Sequence, residues 1–187
     1  MLEIKSVQPK NKKAFKALYN ASFPNSERKP YYLMKYWQHC GKMELYELSD
    51  GKIFCGLFIT VICDELVLVD YLAVCPEFRG SGVGSKALEL AREKYKGKRL
   101  FLEIETTEKP CVDLEIRKKR KQFYLKNGLS PCGFSVNLFG VEMEILAFDK
   151  PITYDEYMKL YRHMAGKFFK LKIELKIEKC QPQSHRL

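Results

Sequence analysis

Apolar residues recur at helical spacing in two stretches near the start of the chain. Residues 14–19 and residues 31–37 each repeat apolar side chains every three or four positions, which predicts two helices. A short apolar segment at residues 2–7 precedes them and predicts a strand. Gly41 ends the second helix. The chain is therefore predicted to begin with one strand and two helices.

The pattern then changes to the period of strands. Residues 43–48 and 53–62 flank the turn residues Asp50 and Gly51, an arrangement that predicts a β-hairpin. Residues 66–74 form a nearly continuous apolar run, which is typical of a central strand buried on both faces. Three consecutive strands are therefore expected.

The second half of the chain alternates between helices and strands. The predicted elements are a helix over 86–95, a strand over 100–105, a helix over 112–127, strands over 134–138 and 141–148, and a helix over 153–164. The first of these helices and its two flanking strands predict a βαβ unit with a parallel pair. The complete order, β-α-α-β-β-β-α-β-α-β-β with a C-terminal helix and a tail strand, belongs to the α/β (α+β) class.

The C-terminal tail has a pattern of its own. Apolar and charged side chains alternate strictly over residues 171–178, which predicts an amphipathic strand. Such a strand must pair with a sheet edge, either that of its own domain or that of a second subunit in a homodimer. We therefore divide the chain into one domain over 1–166 and a basic tail over 167–187.

Charge and cysteine content narrow the class of protein further. The formal net charge is +10, and five basic residues are consecutive from Arg117 to Lys121, but no aromatic residues interleave with them to favour nucleic acid. The seven cysteines show no metal-finger spacing and predict reduced thiols. No signal-peptide pattern is present, and no apolar run reaches the roughly 20 residues of a membrane span. We expect a cytoplasmic protein that binds neither a metal ion nor a membrane.

A glycine-containing loop between the strand over 66–74 and the next helix carries the main chemical signal. Glycines in such a turn let main-chain N–H groups and the positive end of the helix dipole surround a phosphate group. The sequence therefore predicts an anion site for a phosphate-containing ligand. The residues of this loop are Arg79, Gly80, Ser81, Gly82, Val83, Gly84 and Ser85.

Three classes of ligand use a loop of this kind. The nucleoside triphosphate pattern fails, because Ser85 stands where its second glycine is required and Lys86 is followed by Ala87. The dinucleotide pattern G-x-G-x-x-A is satisfied from Gly82, but seven residues separate this glycine from Val74, whereas a dinucleotide fold turns almost at once. Coenzyme A is the third class.

Two motifs in this sequence resemble those of the GNAT N-acetyltransferases. The first, Q/R-x-x-G-x-G/A after a central strand, is matched by residues 79–84. The second, F-Y-x-x-x-G-F, is matched by residues 123–129, in which Leu129 replaces the final Phe. The resemblance covers roughly residues 1–148. It implies a GNAT-like mixed, mostly antiparallel central sheet and acetyl-CoA as the cosubstrate, with no metal.

The resemblance also implies how the coenzyme is bound. The pyrophosphate is expected on the loop over 79–85, and the thioester carbonyl on a main-chain N–H at the strand end formed by Leu72, Ala73 and Val74. Arg117 and Arg120 stand where many members carry Asn and Ala, which changes the contacts that this helix can offer to the pantetheine. One or two basic side chains of the run could instead reach the coenzyme's 3′-phosphate.

Direct transfer in a ternary complex needs a neutral amine and a proton for the leaving thiolate. Tyr124 matches the family's proton donor; the alternative is a packed helix tyrosine. Candidates for the general base are Asp70, inside an apolar strand, and Glu103 and Glu105 on the neighbouring strand, each of which could instead be a paired structural carboxylate. Cys75 would allow a covalent acetyl-enzyme, although a buried cysteine at a strand end is more often inert.

The predicted function is acetyl transfer from acetyl-CoA to a primary amine of a small molecule or a peptide. A non-catalytic acyl-CoA sensor of the same fold and a basic nucleic-acid-binding module are the alternatives. The sequence does not name the acceptor. The acidic and aromatic residues that could line an amine pocket are Glu27, Tyr31, Tyr32, Trp37, Asp64 and Glu65.

Overall fold

The computed structural model describes residues 1–25, 27–138, 140–174 and 177–179. Its elements follow the order β-α-α-β-β-β-α-β-α-β-β, after which come a helix and a short strand, so the predicted fold class is confirmed. The chain divides into two compact units, Met1–Lys98 and a second that begins at Arg99.

The first unit is built on antiparallel strands that pair in the order β1-β2-β3-β4. One register shift, opposite Ile59 and Thr60, leaves Asp70 of the fourth strand without a paired residue and so forms a β-bulge. The elements of this unit are β1 (Leu2–Ser6), α1 (Lys12–Ser22), α2 (Tyr31–His39), β2 (Met43–Asp50), β3 (Ile53–Cys63), β4 (Leu66–Val74) and α3 (Val83–Lys94).

Helices cover the sheet of the first unit through the apolar positions that the sequence pattern predicts. In α1, Phe15, Leu18 and Tyr19 recur every three or four residues and are buried, and the helix packs against β3 and β4. In α3, Ala87 and Leu88 are buried, and the helix packs against β1 and β4. Burial of each large apolar side chain stabilises the unit by roughly 1.5–3 kcal/mol.

The second unit has its own antiparallel strands, which pair in the order β5-β7-β6-β8. Its core is rich in aromatic rings: Tyr157 lies against Phe101, Phe134 and Tyr161, with ring centroids 4.9 to 6.4 Å apart. The elements are β5 (Arg99–Glu105), α4 (Leu114–Lys126), β6 (Leu129–Leu138), β7 (Val141–Phe148), α5 (Tyr154–Glu174) and β8 (Ile177–Lys179).

The structure corrects the first part of the predicted amphipathic strand over 171–178, because residues 171–174 are helical. The last helix continues to Glu174 across non-helical backbone at Gly166, and the extended segment is Ile177–Lys179, which pairs with β6. Residues 175–176 lie outside the described residues. Leu, Lys and Glu are strong helix formers, so local propensity prevails over the alternating pattern. The domain boundary at residue 166 and the parallel pair of β4 with β5 stay predictions.

Candidate functional site

The loop that joins β4 to α3 has the backbone conformation expected of a phosphate-binding turn. Gly80 and Gly82 are left-handed, with φ of +79° and +86°, a region that disfavours residues with a Cβ atom. A Cβ built on either glycine would meet no atom within 4 Å, so neighbouring atoms leave the main chain here open to approach. Backbone conformation, not crowding, therefore requires these glycines.

The first turn of α3 offers unsatisfied donors next to this loop. Gly82 occupies the N-cap position without a capping side-chain hydrogen bond, and no acidic residue lies in the first turn. The first N–H groups of a helix lack partners within it, and the helix dipole makes this end positive. Val83, Gly84 and Ser85 thus present main-chain donors that can bind an anion.

One side chain ties the loop to the end of β4, and a second closes a turn within the segment that follows this strand. The Arg79 Nε donates a hydrogen bond to the Val74 carbonyl over 3.2 Å, and the Ser81 hydroxyl donates to the Phe78 carbonyl over 2.7 Å. Arg79 is exposed, and so are Gly80 and Ser81. The geometry suits a multiply charged oxyanion such as a pyrophosphate group, with Arg79 as an additional cation.

The strand end at Leu72, Ala73 and Val74 is fixed by a close approach of β3. Gly56 lies opposite Val74, and a Cβ on Gly56 would come within 2.4 Å of the Ala73 carbonyl oxygen, a distance that no side chain permits. Only glycine allows this spacing. The end of β4, from which the predicted donors to a thioester carbonyl come, is therefore held in a defined position.

Cys75 follows β4 directly and is buried. Its N–H donates to the Cys55 carbonyl over 2.9 Å, and desolvation, reinforced by the Glu77 carboxylate, raises the pKa of its thiol to about 11. The thiolate is the nucleophilic form of cysteine, and this site disfavours it at neutral pH. The surroundings of Cys75 therefore favour an inert thiol over a covalent acetyl-enzyme.

Asp70, at the bulge in β4, combines an ion pair with a free oxygen. Its side chain is 3% exposed, and Oδ1 lies 2.7 Å from the Lys29 ammonium. The other oxygen, Oδ2, is buried, and no described residue donates a hydrogen bond to it. An unsatisfied buried carboxylate oxygen is a potential proton acceptor. Asp70 therefore remains a candidate for the general base, although its other oxygen forms an ion pair.

Tyr124 lies in the second unit, on α4. Desolvation raises the pKa of its hydroxyl to about 12; the Arg120 guanidinium opposes this shift and the Glu105 carboxylate adds to it. Within the described part of the chain, no residue forms a hydrogen bond with this hydroxyl. Tyr124 is therefore protonated near neutral pH and available as a proton donor.

The other two carboxylates that the sequence proposes as bases are both engaged. Glu105 is buried and forms an ion pair with Arg120. Glu103 accepts a hydrogen bond from the Tyr161 hydroxyl over 2.7 Å. These contacts favour structural roles for Glu103 and Glu105.

Most cations of the basic run on α4 have carboxylate partners, which the sequence analysis did not foresee. Two partners lie on or just before α4 and two come from the strands β5 and β7, so only the folded chain brings them together. The run is therefore largely neutralised. The ion pairs are Arg117–Asp113, Lys118–Glu115, Arg120–Glu105 and Lys121–Glu144.

A cavity of about 360 Å³ lies beside α1 and the start of α2, within the first unit. The sequence does not predict this cavity, because its lining residues are spread over sixteen positions with no recognisable motif. Tyr31 is the one residue of the predicted amine pocket among its described lining residues. We call it the α1–α2 pocket; its lining consists of Lys16, Tyr19, Asn20, Asn25, Arg28, Lys29, Pro30 and Tyr31.

The described residues contain no group of three or more Asp, Glu, His or Cys side chains that could hold a metal ion. They also contain no helix that is both long enough and apolar enough to cross a membrane.

Comparison with known proteins agrees with the geometry of the loop and with the order of elements. The family model described as an acetyltransferase (GNAT) domain matches residues 42–129, which include β4, the glycine loop and the motif around Tyr124. Bacillus subtilis YjbC, an acetyltransferase by name, is 34% identical over 83 residues, which are 44% of this chain and 40% of YjbC. This match thus spans less than half of the relative.

Solved structures share the fold over most of the chain. A GNAT-family protein of Bacteroides thetaiotaomicron is 20% identical, with a TM-score of 0.70, over 87% of this chain and 96% of that one. A GNAT acetyltransferase of Elizabethkingia anophelis, solved with acetyl-CoA bound, is 15% identical, with a TM-score of 0.56, over 80% and 97% of the two chains. The family match over residues 42–129 and the shared fold support an acyltransferase of the GNAT type.

Proposed function

We propose that the protein transfers the acetyl group of acetyl-CoA directly to a primary amine in a ternary complex. The observation that carries this proposal is the loop over 79–85, in which two left-handed glycines lead into an uncapped helix N-terminus. The loop supplies main-chain donors for the coenzyme's pyrophosphate, and Arg79 adds a positive charge. The likeness to a structure that holds acetyl-CoA supports the same choice of ligand.

The proposed reaction places the thioester carbonyl on a main-chain N–H of Leu72, Ala73 or Val74. The neutral amine attacks the carbonyl carbon, a C–N bond forms, the C–S bond breaks, and coenzyme A leaves as a thiolate. The N–H stabilises the oxyanion that develops during the attack. No covalent enzyme intermediate is needed, in agreement with the raised pKa of Cys75.

Three proton transfers complete the proposed reaction. The acceptor must lose a proton, because an alkyl amine with a pKa of about 10.4 is mostly protonated at neutral pH. Asp70 is the preferred base, directly or through water, because its Oδ2 has no hydrogen-bond partner among the described residues, whereas Glu103 and Glu105 are engaged. Tyr124 is the proposed donor to the thiolate, since it is protonated at neutral pH. The attacking nitrogen loses a second proton after the C–N bond forms, and that proton restores the Tyr124 phenol through solvent.

Calorimetry with acetyl-CoA and CoA tests the coenzyme site. We expect binding to the wild-type protein and at least about tenfold weaker binding to Arg79→Glu, because the substitution places a negative charge beside the phosphates. Lys52→Glu, an exposed charge reversal at the β2–β3 turn, is the control and should bind like the wild type. Full affinity in Arg79→Glu would contradict the site.

A screen of amines with thiol-release detection then separates an enzyme from a sensor. Coenzyme binding without acetylation of any amine would favour the acyl-CoA sensor. The ion pairs along α4 leave little free positive charge in the basic run, so they argue against a nucleic-acid-binding module. A cytoplasmic location and a homodimer belong to the same proposal, and the free thiols of the described cysteines support the former.

A further inference from the structure

The α1–α2 pocket has a charge that the proposed reaction does not explain. Its described lining contains the cations Lys16, Arg28 and Lys29, and no Asp or Glu residue. An amine-binding pocket selective for polyamines would need carboxylates to bind the additional ammonium groups. The positive charge of this lining therefore disfavours polycationic acceptors and favours a ligand that carries a negatively charged group.

Of the three cations, one is paired with a carboxylate of the described residues. Lys29 forms an ion pair with Asp70. Lys16 and Arg28 have no carboxylate partner among the described residues. Instead, the Lys16 ammonium lies 4.2 Å from the centroid of the Tyr31 ring, and the Arg28 Nη1 donates to the Asn20 Oδ1 over 2.7 Å. Both side chains are thus oriented by neutral groups, and no carboxylate in the described part of the chain compensates their positive charge.

The rim of the pocket is held by hydrogen bonds to main-chain atoms. The Tyr19 hydroxyl donates to the Lys29 carbonyl and accepts from the Lys29 N–H, over 3.1 and 2.9 Å. The Tyr71 hydroxyl donates to the Glu27 carbonyl over 2.7 Å, and its ring lies edge-on to that of Tyr19 with centroids 4.9 Å apart. These contacts preorganise the segment that carries Arg28 and Lys29, and preorganisation lowers the cost of binding.

The pocket is also connected to the proposed chemistry. Lys29 lines the pocket and its ammonium contacts Asp70, the preferred base, which lies on β4 four residues before Val74. Tyr19 and Tyr31 add aromatic surface for the body of a ligand. An acceptor seated in this pocket would therefore be adjacent to the Lys29–Asp70 pair.

We propose that the acceptor is a small primary amine that also carries a carboxylate or phosphate group, and that Lys16 and Arg28 bind this anionic group. The proposal rests on the proposed acetyl transfer and specifies its acceptor class. The guanidinium of Arg28 suits either oxyanion, because its planar N–H groups match the oxygens of both. The Lys29–Asp70 pair then lies next to the amine end of the acceptor.

A matched series of primary amines tests the acceptor class. The series consists of β-alanine, 2-aminoethyl phosphate, propylamine and 1,3-diaminopropane, which carry a carboxylate, a phosphate, no further charge and a second ammonium group, respectively. We expect kcat/KM for at least one of the two anionic amines to exceed that for propylamine by about tenfold or more, as expected of a charged hydrogen bond, and 1,3-diaminopropane to be the poorest acceptor. The anionic amine with the higher kcat/KM shows whether the pocket prefers a carboxylate or a phosphate group. Equal or better transfer to propylamine or 1,3-diaminopropane would overturn the proposal.

Variants assign the preference to the pocket. Arg28→Gln and Lys16→Gln should each reduce the ratio of kcat/KM between the preferred anionic amine and propylamine towards one, whereas Lys52→Gln, outside the pocket, should keep the wild-type ratio. An unchanged ratio in both pocket variants would overturn the assignment.

Ligand-detected NMR of the anionic amines with the CoA-bound protein separates this proposal from the proposed function. Binding that Arg28→Gln weakens, without acetylation of any amine, would support the pocket and contradict the transferase. Acetylation of propylamine without binding or acetylation of either anionic amine would support the transferase and contradict the pocket.

Discussion

Tyr124 combines a high pKa with a hydroxyl that no described residue engages. A phenol with a pKa of about 12 holds its proton throughout the neutral range, and it can give that proton to a thiolate without first breaking a hydrogen bond. Desolvation alone would also raise the pKa of a packed helix tyrosine, so kinetic measurements must separate the two roles. The residue is thus the natural first target for testing the chemistry.

For Tyr124→Phe we predict that kcat falls by about 10²-fold, the lower part of the range for loss of a proton donor, while the affinity for CoA stays within twofold of the wild type. Steady-state kinetics and calorimetry measure the two quantities. Tyr36→Phe, at an exposed position of α2, is the control and should leave kcat unchanged. Wild-type kcat in Tyr124→Phe would remove the residue as the acid.

Gly97, which lies outside the coenzyme loop, is a matched control for Gly82 inside it. Both have a left-handed backbone, with φ of +86° and +87°, and a Cβ on either would meet no atom within 4 Å. Alanine at each position should therefore lower the free energy of unfolding by about 1 kcal/mol through the same backbone strain. We predict that only Gly82→Ala also weakens CoA binding. Denaturant titration and calorimetry check this, and equal CoA affinities in the two variants would contradict a loop-specific role.

At the scale of elements, the start of α5 is a capping box formed by Thr153 and Glu156. The Thr153 N–H donates to Glu156 Oε2 over 2.9 Å, and the Glu156 N–H donates to the Thr153 hydroxyl over 3.3 Å. Glu156 also accepts hydrogen bonds from the Arg99 guanidinium. These hydrogen bonds, first that from Arg99, lower the pKa of Glu156 from its ordinary 4.5 to about 2.

This lowered pKa fixes the sign of a pH effect on stability. The folded protein favours the ionised carboxylate, so the stabilisation is complete above pH 4.5 and is lost as the pH falls towards 2. For Glu156→Gln we predict a free energy of unfolding about 2 kcal/mol lower than that of the wild type at pH 7, with a difference that shrinks towards zero near pH 2.

Denaturant titrations at several pH values measure this difference. Asp155→Asn is the control, because Asp155 is exposed in the same helical turn and no described residue pairs with it; its effect should stay within a few tenths of a kcal/mol. A Glu156→Gln difference that did not change with pH would contradict the ion-pair explanation.

The elements also show where sequence reasoning succeeds and where it stops. The capping box and the glycine loop are contiguous signals of a few residues, so their conformations can be predicted from local chemistry. Residues 171–174 satisfied a strand pattern yet are helical, because strong helix formers override an alternation of only a few positions. The α1–α2 pocket and the pairing of Arg120 with Glu105 depend on contacts that exist only in the folded chain.

At the scale of the whole molecule, a net charge of +10 has less meaning than its distribution. The basic run on α4 is matched by carboxylates, while Lys16 and Arg28 in the α1–α2 pocket have none among the described residues. A few uncompensated charges in a cavity focus a field on a small ligand, whereas paired surface charges are screened by salt. The excess charge thus bears on ligand selection more than on binding of nucleic acid.

The pairing of β8 with β6 near the C-terminus bears on both the stability of the protein and its oligomeric state. Ile177–Lys179 pairs with residues 136–138 of β6, so removing it exposes N–H and C=O groups along that strand. We predict that deletion of residues 167–187 either lowers the Tm by roughly 3 °C or more, through lost pairing, or changes the oligomer mass, because the open edge recruits another chain.

Thermal unfolding and light scattering measure these two effects. Deletion of residues 180–187 alone is the control, since it keeps β8, and it should shift the Tm less than the longer deletion does. If the longer deletion left both the Tm and the mass unchanged, the pairing of β8 with β6 would contribute no measurable stability, and the tail would have no part in the fold or in a homodimer. A change of mass without loss of Tm would instead identify the β6 edge as the surface through which two chains associate, because an edge strand that loses one partner is stabilised by gaining another.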